Sequence, residues 1–379
     1  MSSTIVDVLV NIKELTEKLA ASAALTDREG VFPNDNIKLL GEHKYLGLLV
    51  PAEHGGLAAS ATSFAQVTQA IAGACASTGM IFVMHCCAVD VMAKHLPSAH
   101  ELLKAAAQGK HLSTLACSER GTGANFYASF SNSSEIADQY ELNADKCFVT
   151  SAGHADSYVV STRAVGSDDS VNTAIYLVQK GTPGLTFYGI WEGLGLRGNS
   201  SIGMKLENCR ISRENLIGKQ GQGLEIEMGT ILPRFLLGTA AVYTGIAQAA
   251  LLATIEHAKG RVHMHTGEAL SMLPVLRGKI AQMKVAIDSS NALILQAAGL
   301  WDDGLQNQLV MLLECKQLAC RTAIDVTNLA MEACGGLAFS KALPLERHLR
   351  DAQAGVVMAP ANDALLDLIG RAALDLPLM

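Results

Sequence analysis

Residues 193–223, GLGLRGNSSIGMKLENCRISRENLIGKQGQG, decide between two architectures. Gly193, Gly195 and Gly198 match the glycine fingerprint of a dinucleotide-binding loop letter for letter. Such a loop must follow a strand, open a helix and be followed by an acidic residue for the ribose. Here the glycines lead into Ile202–Ile211, IGMKLENCRI, which reads as a strand, and no acidic residue is suitably placed. They are expected to form a turn within a β domain, and nicotinamide binding is set aside.

Working outward, Tyr158-Val159-Val160 and Ala174–Val178 are further short β-rich runs, separated by clusters of Asn, Asp, Ser and Gly. Downstream of Gln222 a helical period returns. Leu309, Leu312, Leu313, Ala319, Ala323, Val326 and Ala330 form an apolar stripe that Gly335-Gly336 terminates. Upstream, VDVLVNIKEL spaces its apolar residues three and four apart, and a run from Ser63 to Val89 is rich in Ala, Gly and Ser, which lets helices approach closely. Helices, then strands, then helices, without alternation, exclude a doubly wound sheet. The expected fold is α+β: an N-terminal helical domain (1–113), a middle antiparallel β domain (114–218) and a C-terminal four-helix bundle (219–379).

The chain has 379 residues, enough to bury a large core, and a net charge of −7 with no dense Lys/Arg block, which disfavours nucleic acid as a partner. Nine cysteines, an odd number without framework spacing, read as reduced thiols in a cytoplasm. The N-terminus shows no signal-peptide pattern. Phe235–Thr254 runs 20 residues without a charge, long enough to span a bilayer. Its Gly238, Thr239, Thr244 and Gln248 suit a helix buried among helices instead, and no membrane span is expected.

His263 and His265 stand two apart without a nearby carboxylate or thiol cluster, so a surface pair and no metal site are expected. His85, beside Cys86 in an apolar helix, reads as a core histidine, and no G-x-S-x-G elbow is present. In Leu343–Asp363, LPLERHLRDAQAGVVMAPAND, a charged segment runs into an apolar loop, Val357–Ala361, that contains no acid or base.

Five segments, in order, resemble the acyl-CoA dehydrogenase family of flavoproteins: LVPAEHGG (49–56), ACSERGTGAN (116–125), NADKCFVTSAGHADSYVVSTR (143–163), GLRGNSSIGMKLENCRISRENLIGKQGQG (195–223) and EACGGLAFSKALPLERHLRDA (332–352). The family's three-part plan agrees with the domain order above. The resemblance implies FAD as cofactor, with Cys117, Ser118, Gly123 and Ala124 along the flavin's polar edge, Phe148 in the usual Trp position against the ring, and Thr150 retaining a hydroxyl. Arg261 would contact the pyrophosphate. Glu332 stands where a Gln is usual, with Gly335 and Gly336 following, in a site shared with a neighbouring subunit. A homodimer or homotetramer is implied.

The family abstracts the proton α to a thioester carbonyl with a glutamate. That position corresponds here to Ala359, and the alternative position, before Arg234, to Pro233. Asp363, Glu227 and Glu225 are the nearest acids in sequence, for which surface or phosphate-edge roles are expected; Arg350 and Asp351 are expected to pair with each other. Ala124, Arg234 and Met358 would line the substrate cavity. The implied function is FAD-dependent oxidation of an acyl thioester, on CoA or a carrier protein, with a missing or non-standard base and an electron acceptor that sequence does not name. A flavin-dependent monooxygenase on the same fold and a non-catalytic flavin- or acyl-binding protein are the alternatives.

Overall fold

Leu15, Leu19, Ala23 and Thr26 recur at helical spacing and form the buried face of α1 (Ile12–Glu29), the first helix in the computed structural model. The structure describes residues 8–10, 12–123, 125–304 and 309–378. Helices α2 (Asn34–Glu42), α3 (Ala61–Ala74), α4 (Ala76–His95) and α5 (His100–Ala107) follow. At the start of α3 the Ser60 hydroxyl accepts from the Ser63 amide at 3.1 Å, and the Asp302 carboxylate accepts from the Ala61 and Thr62 amides at 2.6 and 3.1 Å. These bonds satisfy helix-start amides that have no partner within the helix. From Ala76 to Met92 every residue of α4 is buried except Met84, as expected of a helix apolar on all sides.

The middle region holds β1 (Ser113–Ala116), β2 (Asn132–Ile136), β3 (Gln139–Val149), β4 (Ser157–Arg163), β5 (Thr173–Gln179), β6 (Leu185–Tyr188), β7 (Ile202–Ser212) and β8 (Leu216–Ile217). They form two four-stranded sheets, ordered β1-β4-β5-β8 and β2-β3-β7-β6. β4 and β5 are buried along all but their last residue, which explains their nearly continuous apolar character. One pairing departs from the antiparallel expectation: β1 runs parallel to β4. The chain between them passes through β2 and β3 of the other sheet, and a connection of that length can return to the same end, as parallel pairing requires.

The C-terminal region comprises α6 (Gly223–Ile226), a π-helical turn (Glu227–Ile231), α7 (Leu232–Gly260), α8 (Pro274–Asp302), α9 (Leu309–Cys334), α10 (Leu345–Val357) and α11 (Asn362–Ala373). α7 packs against α3, α8, α9 and α10 and is buried without a break from Leu236 to Ala247. A Cβ at Gly245 would stand 2.4 Å from the Gln69 carbonyl oxygen on α3, so this glycine permits the close crossing of the two helices. Ala76–His95 and Gly223–Gly260 are long and apolar enough to cross a membrane, and both are mostly buried within the fold.

Candidate active site

A cavity of about 540 Å³ opens where the three regions meet. Its walls come from Met80 and Met84 on α4, the loop after β1 (Cys117–Gly121 and Gly123), the end of β3 (Cys147, Phe148, Thr150), the turn before β7 (Trp191, Leu196, Asn199, Ser201), the start of α7 (Ile231, Leu232, Phe235) and the end of α10 with its following loop (Ala354, Val357–Ala359).

Local irregularities aim these residues. The β3–β7 register shifts between Lys146 and Val149, and Phe148 takes a φ of +54°. A bulge of this kind bends the strand and redirects a side chain. Phe148 is 68% exposed and meets Trp191 edge to face, with centroids 6.5 Å apart, at the cavity wall. Trp191 is held by its indole N–H, which donates to the Leu196 carbonyl at 2.9 Å.

The loop after β1 is tied down by Glu119. Its carboxylate accepts from the Lys146 ammonium (2.6 Å), the Ser129 hydroxyl (2.5 Å) and the Phe130 and Ser131 amides (2.8 and 3.2 Å). Burial opposes its charge, but Lys146 and these donors together hold its pKa below the usual carboxylate value. Glu119 is the only carboxylate among the described cavity-lining residues, and all of this bonding commits it to structure.

The opposite wall is supported from below. The buried Lys316 ammonium donates to the carbonyls of Gly355 (3.2 Å), Met358 (3.1 Å) and Pro360 (2.8 Å), fastening the loop whose Met358 and Ala359 face the cavity. Burial pushes its pKa down. Arg350 and Asp351 do not pair with each other, contrary to expectation. Arg350 grips Asp27 at 2.6 and 2.8 Å and Glu346 at 2.8 Å, while Asp351 accepts from the Leu196 amide at 2.7 Å. Successive helical residues point in different directions, so each finds its own partner. The glycine-rich turn packs here: a Cβ on Gly195 would stand 2.4 Å from the Arg350 carbonyl oxygen, so the apparent dinucleotide fingerprint serves helix packing.

Of the residues singled out in sequence, Cys117, Ser118, Gly123, Phe148, Thr150, Met358 and Ala359 lie around this one cavity. Ala124 falls outside the described residues. Arg234 is corrected: it does not line the cavity but is buried against Asp90, its Nε donating at 3.1 Å, with its guanidinium 4.3 Å from the Trp301 ring centroid. A buried cation requires such partners, and one helical turn separates it from cavity-facing Ile231. Pro233, in the first turn of α7, is likewise not a wall residue.

Arg261, Glu332, Gly335 and Gly336 stand apart from this cavity within the chain: Arg261 ends α7, Glu332 pairs with Lys279 on α8, and the glycines open the turn after α9. Glu225 and Asp363 are exposed. Glu227 is neither at the surface nor at a phosphate edge: it is fully buried, and neither carboxyl oxygen has a hydrogen-bond partner. His85 is a bonded core residue, with Nε2 2.7 Å from the Leu46 carbonyl and Nδ1 accepting from the Ser113 amide at 3.0 Å; burial lowers its pKa to about 4. His263 and His265 stack on each other in the loop after α7, and no group of metal-ligating side chains occurs among the described residues.

Met80, Met84, Arg120, Phe126, Trp191, Asn199 and Ser201 were missed. Arg120 and Asn199 lie inside the segments that carry the family resemblance; the two methionines and Phe126 carry no signal separating them from core residues.

The walls fit an isoalloxazine ring. Such a ring needs an apolar face and hydrogen-bonding groups at its polar edge. Phe148, Trp191 and Met84 supply the first; Ser118, Thr150 and Ser201 supply the second, and the buried Asn199 Oδ1 in the same wall lacks a partner.

The N-terminal, middle and C-terminal domain models of the acyl-CoA dehydrogenases match residues 11–99, 114–209 and 221–374. The chain is 29% identical to cyclohex-1-ene-1-carbonyl-CoA dehydrogenase of Geobacter metallireducens over 95% of its length and 94% of that protein. It is 30% identical to the mitochondrial short-chain specific acyl-CoA dehydrogenase of Mus musculus, over 90% of this chain and 83% of that one. The structure of butyryl-CoA dehydrogenase from Megasphaera elsdenii superposes with a TM-score of 0.91 at 25% identity, covering 99% of this chain and all of that one. The chain belongs to the acyl-CoA dehydrogenase family of FAD-dependent oxidoreductases.

Proposed function

We propose that the cavity takes the flavin of FAD together with the acyl end of a thioester carried by CoA or by a carrier protein, and that the chain oxidises that acyl group. The family match along the whole chain, joined to a cavity with both polar-edge and aromatic walls, carries the reading. Bound there, the flavin would supply the acceptor for a hydride from the acyl chain. Ser118, Thr150, Ser201 and Asn199 would hold its polar edge, Phe148 and Trp191 would cover the ring, and Met358 and Ala359 would bound the substrate side.

No uncommitted carboxylate lines the described walls, so Ala359 leaves α-proton removal without the usual glutamate. A substrate whose α proton is unusually acidic, or one oxidised without its removal, reconciles the site with the fold. The same bare wall favours, as second reading, a flavin-dependent monooxygenase, which needs no such base.

Arg261, Glu332, Gly335 and Gly336 lie away from the chain's own cavity, which supports a cofactor site completed by a second copy and hence a homodimer or homotetramer. Nine free thiols support a cytoplasmic location.

The test is to record the flavin spectrum of the purified chain, then titrate it anaerobically with saturated acyl thioesters. Bleaching supports the oxidation; its absence together with oxygen-dependent hydroxylation of an added substrate supports the second reading. A protein that neither carries nor binds flavin would overturn the assignment of the cavity.

A further inference from the structure

The one acid that the fold buries deepest near this site is Glu227. It opens the π-helical turn Glu227–Ile231, whose far end brings Ile231 to the cavity wall. π-turns interrupt α-helices at functional positions more often than elsewhere. The Glu227 side chain is fully buried, and both its oxygens lack a hydrogen-bond partner. Native proteins rarely leave a buried polar group unpartnered, so this one requires a physical reason.

Its surroundings supply no ion pair. The Cys117 thiol and the Ser161 hydroxyl flank it, yet neither closes a bond of good geometry onto its oxygens, and the Ser161 oxygen is itself buried and unpartnered. The nearby cation, Lys146 on β3, is committed to Glu119 at 2.6 Å and to the Cys117 carbonyl at 3.2 Å. From α4, which packs against the turn, Asp90 faces Lys94 at 3.0 Å and Arg234 at 3.1 Å, and His95 is bonded to Thr230 at 2.9 Å. Cys86 and Cys87 on α4 are buried thiols, and Glu225 on α6 is exposed and bonded to Gln222. Lys146 still favours a negative charge on Glu227 from a distance, but it forms no ion pair with it, and the loss of water outweighs that attraction. Burial therefore pushes its pKa up, to about 8.

Cys117 completes the argument, because this residue flanks Glu227 and also lines the cavity. Any charge on Glu227 would sit directly behind that wall, in a low-dielectric interior where it is poorly screened.

We propose that Glu227 is a proton-holding positioning residue that sets the charge behind the Cys117 wall, keeping it neutral so that electrons can be placed on the bound flavin. This rests on the reading that the cavity holds FAD. Ionisation of Glu227 would oppose the gain of negative charge on the cofactor, making the enzyme harder to reduce in alkaline solution. Glu227→Gln keeps the shape of the neutral acid and cannot ionise.

The experiment measures the flavin's reduction equilibrium in wild-type holoprotein and Glu227→Gln from about pH 6 to about pH 10, with the protonated-carboxyl infrared band followed in the wild type with and without flavin. The curves are expected to coincide at the acid end and to diverge through about pH 8, with the wild type reduced about tenfold less favourably at the alkaline end. The infrared band should persist at neutral pH and disappear over the same interval. Parallel curves, or no band at neutral pH, would overturn the inference. The band is told from that of the buried Asp351, whose pKa burial raises to about 6, by its midpoint near 8, and it needs neither the variant to fold nor flavin to bind, so a protein without flavin would sink the cavity assignment while the charge state of Glu227 is still read.

Discussion

A glutamate that the fold refuses to ionise leaves a signature in stability. Unfolded, the Glu227 carboxyl titrates near 4.5; folded, burial raises that to about 8. Between these values the folded protein binds the extra proton, so stability falls as pH rises through the window. The total loss is on the order of 5 kcal/mol. Glu227→Gln should therefore match the wild type near pH 5 and be the more stable near pH 9, a difference that denaturant titration at the two pH values reads. Ala359 sets up the complementary case. If the cavity oxidises acyl thioesters, Ala359→Glu places a carboxylate on the substrate-side wall and should speed anaerobic flavin bleaching by a simple saturated acyl-CoA by roughly 10²-fold or more. An unchanged rate would show that this wall does not face the α carbon.

At the scale of elements, the loop after α10 depends on a cation borrowed from another helix. Lys316 on α9 ties Gly355, Met358 and Pro360 through their carbonyls. Replacing it with Met strands three acceptors at once and should cost on the order of 2–4 kcal/mol. Hydrogen exchange should then speed up in residues 355–362 before it does in α7; uniform loosening would argue against a local role. The loop after β1 is held in the same manner by the buried Glu119–Lys146 pair. Lys146→Met leaves Glu119 charged and buried, with an expected destabilisation of about 3–5 kcal/mol and weakened flavin retention, both measurable on one purified sample.

At the scale of the whole molecule, the proposed cofactor site would reach beyond one chain. Arg261 ends α7 and is exposed, away from the cavity walls. If it serves the pyrophosphate bound by a second copy, Arg261→Ala should weaken FAD binding by about 10–100-fold while the flavin-side walls stay intact. Sedimentation should find the wild type as a dimer or tetramer. A monomer that retains FAD tightly would overturn the shared site.

The order of helices, strands and helices was legible from the chain, because β-rich apolar runs mark β4, β5 and β7 while a spacing of three and four marks α9. The motif segments around Ser118, Thr150 and Met358 were legible as well, and the fold brings these residues to one cavity. The partners of charged residues were not. Arg350 reaches Asp27, 323 positions away, and Arg234 reaches Asp90, 144 away, where sequence suggested a neighbour or a ligand. In sequence Glu227 reads as a surface or phosphate-edge acid because a carboxylate is usually solvated or paired. Only the packing of the π-turn against α4 and the Cys117 loop removed its water, while the nearby cation, Lys146, is paired with Glu119 instead. Local periodicity and motif spacing determine where the elements and cavity walls fall. Which acids and bases meet, and which are left without a partner, depends on contacts between distant segments that exist only once the chain has folded.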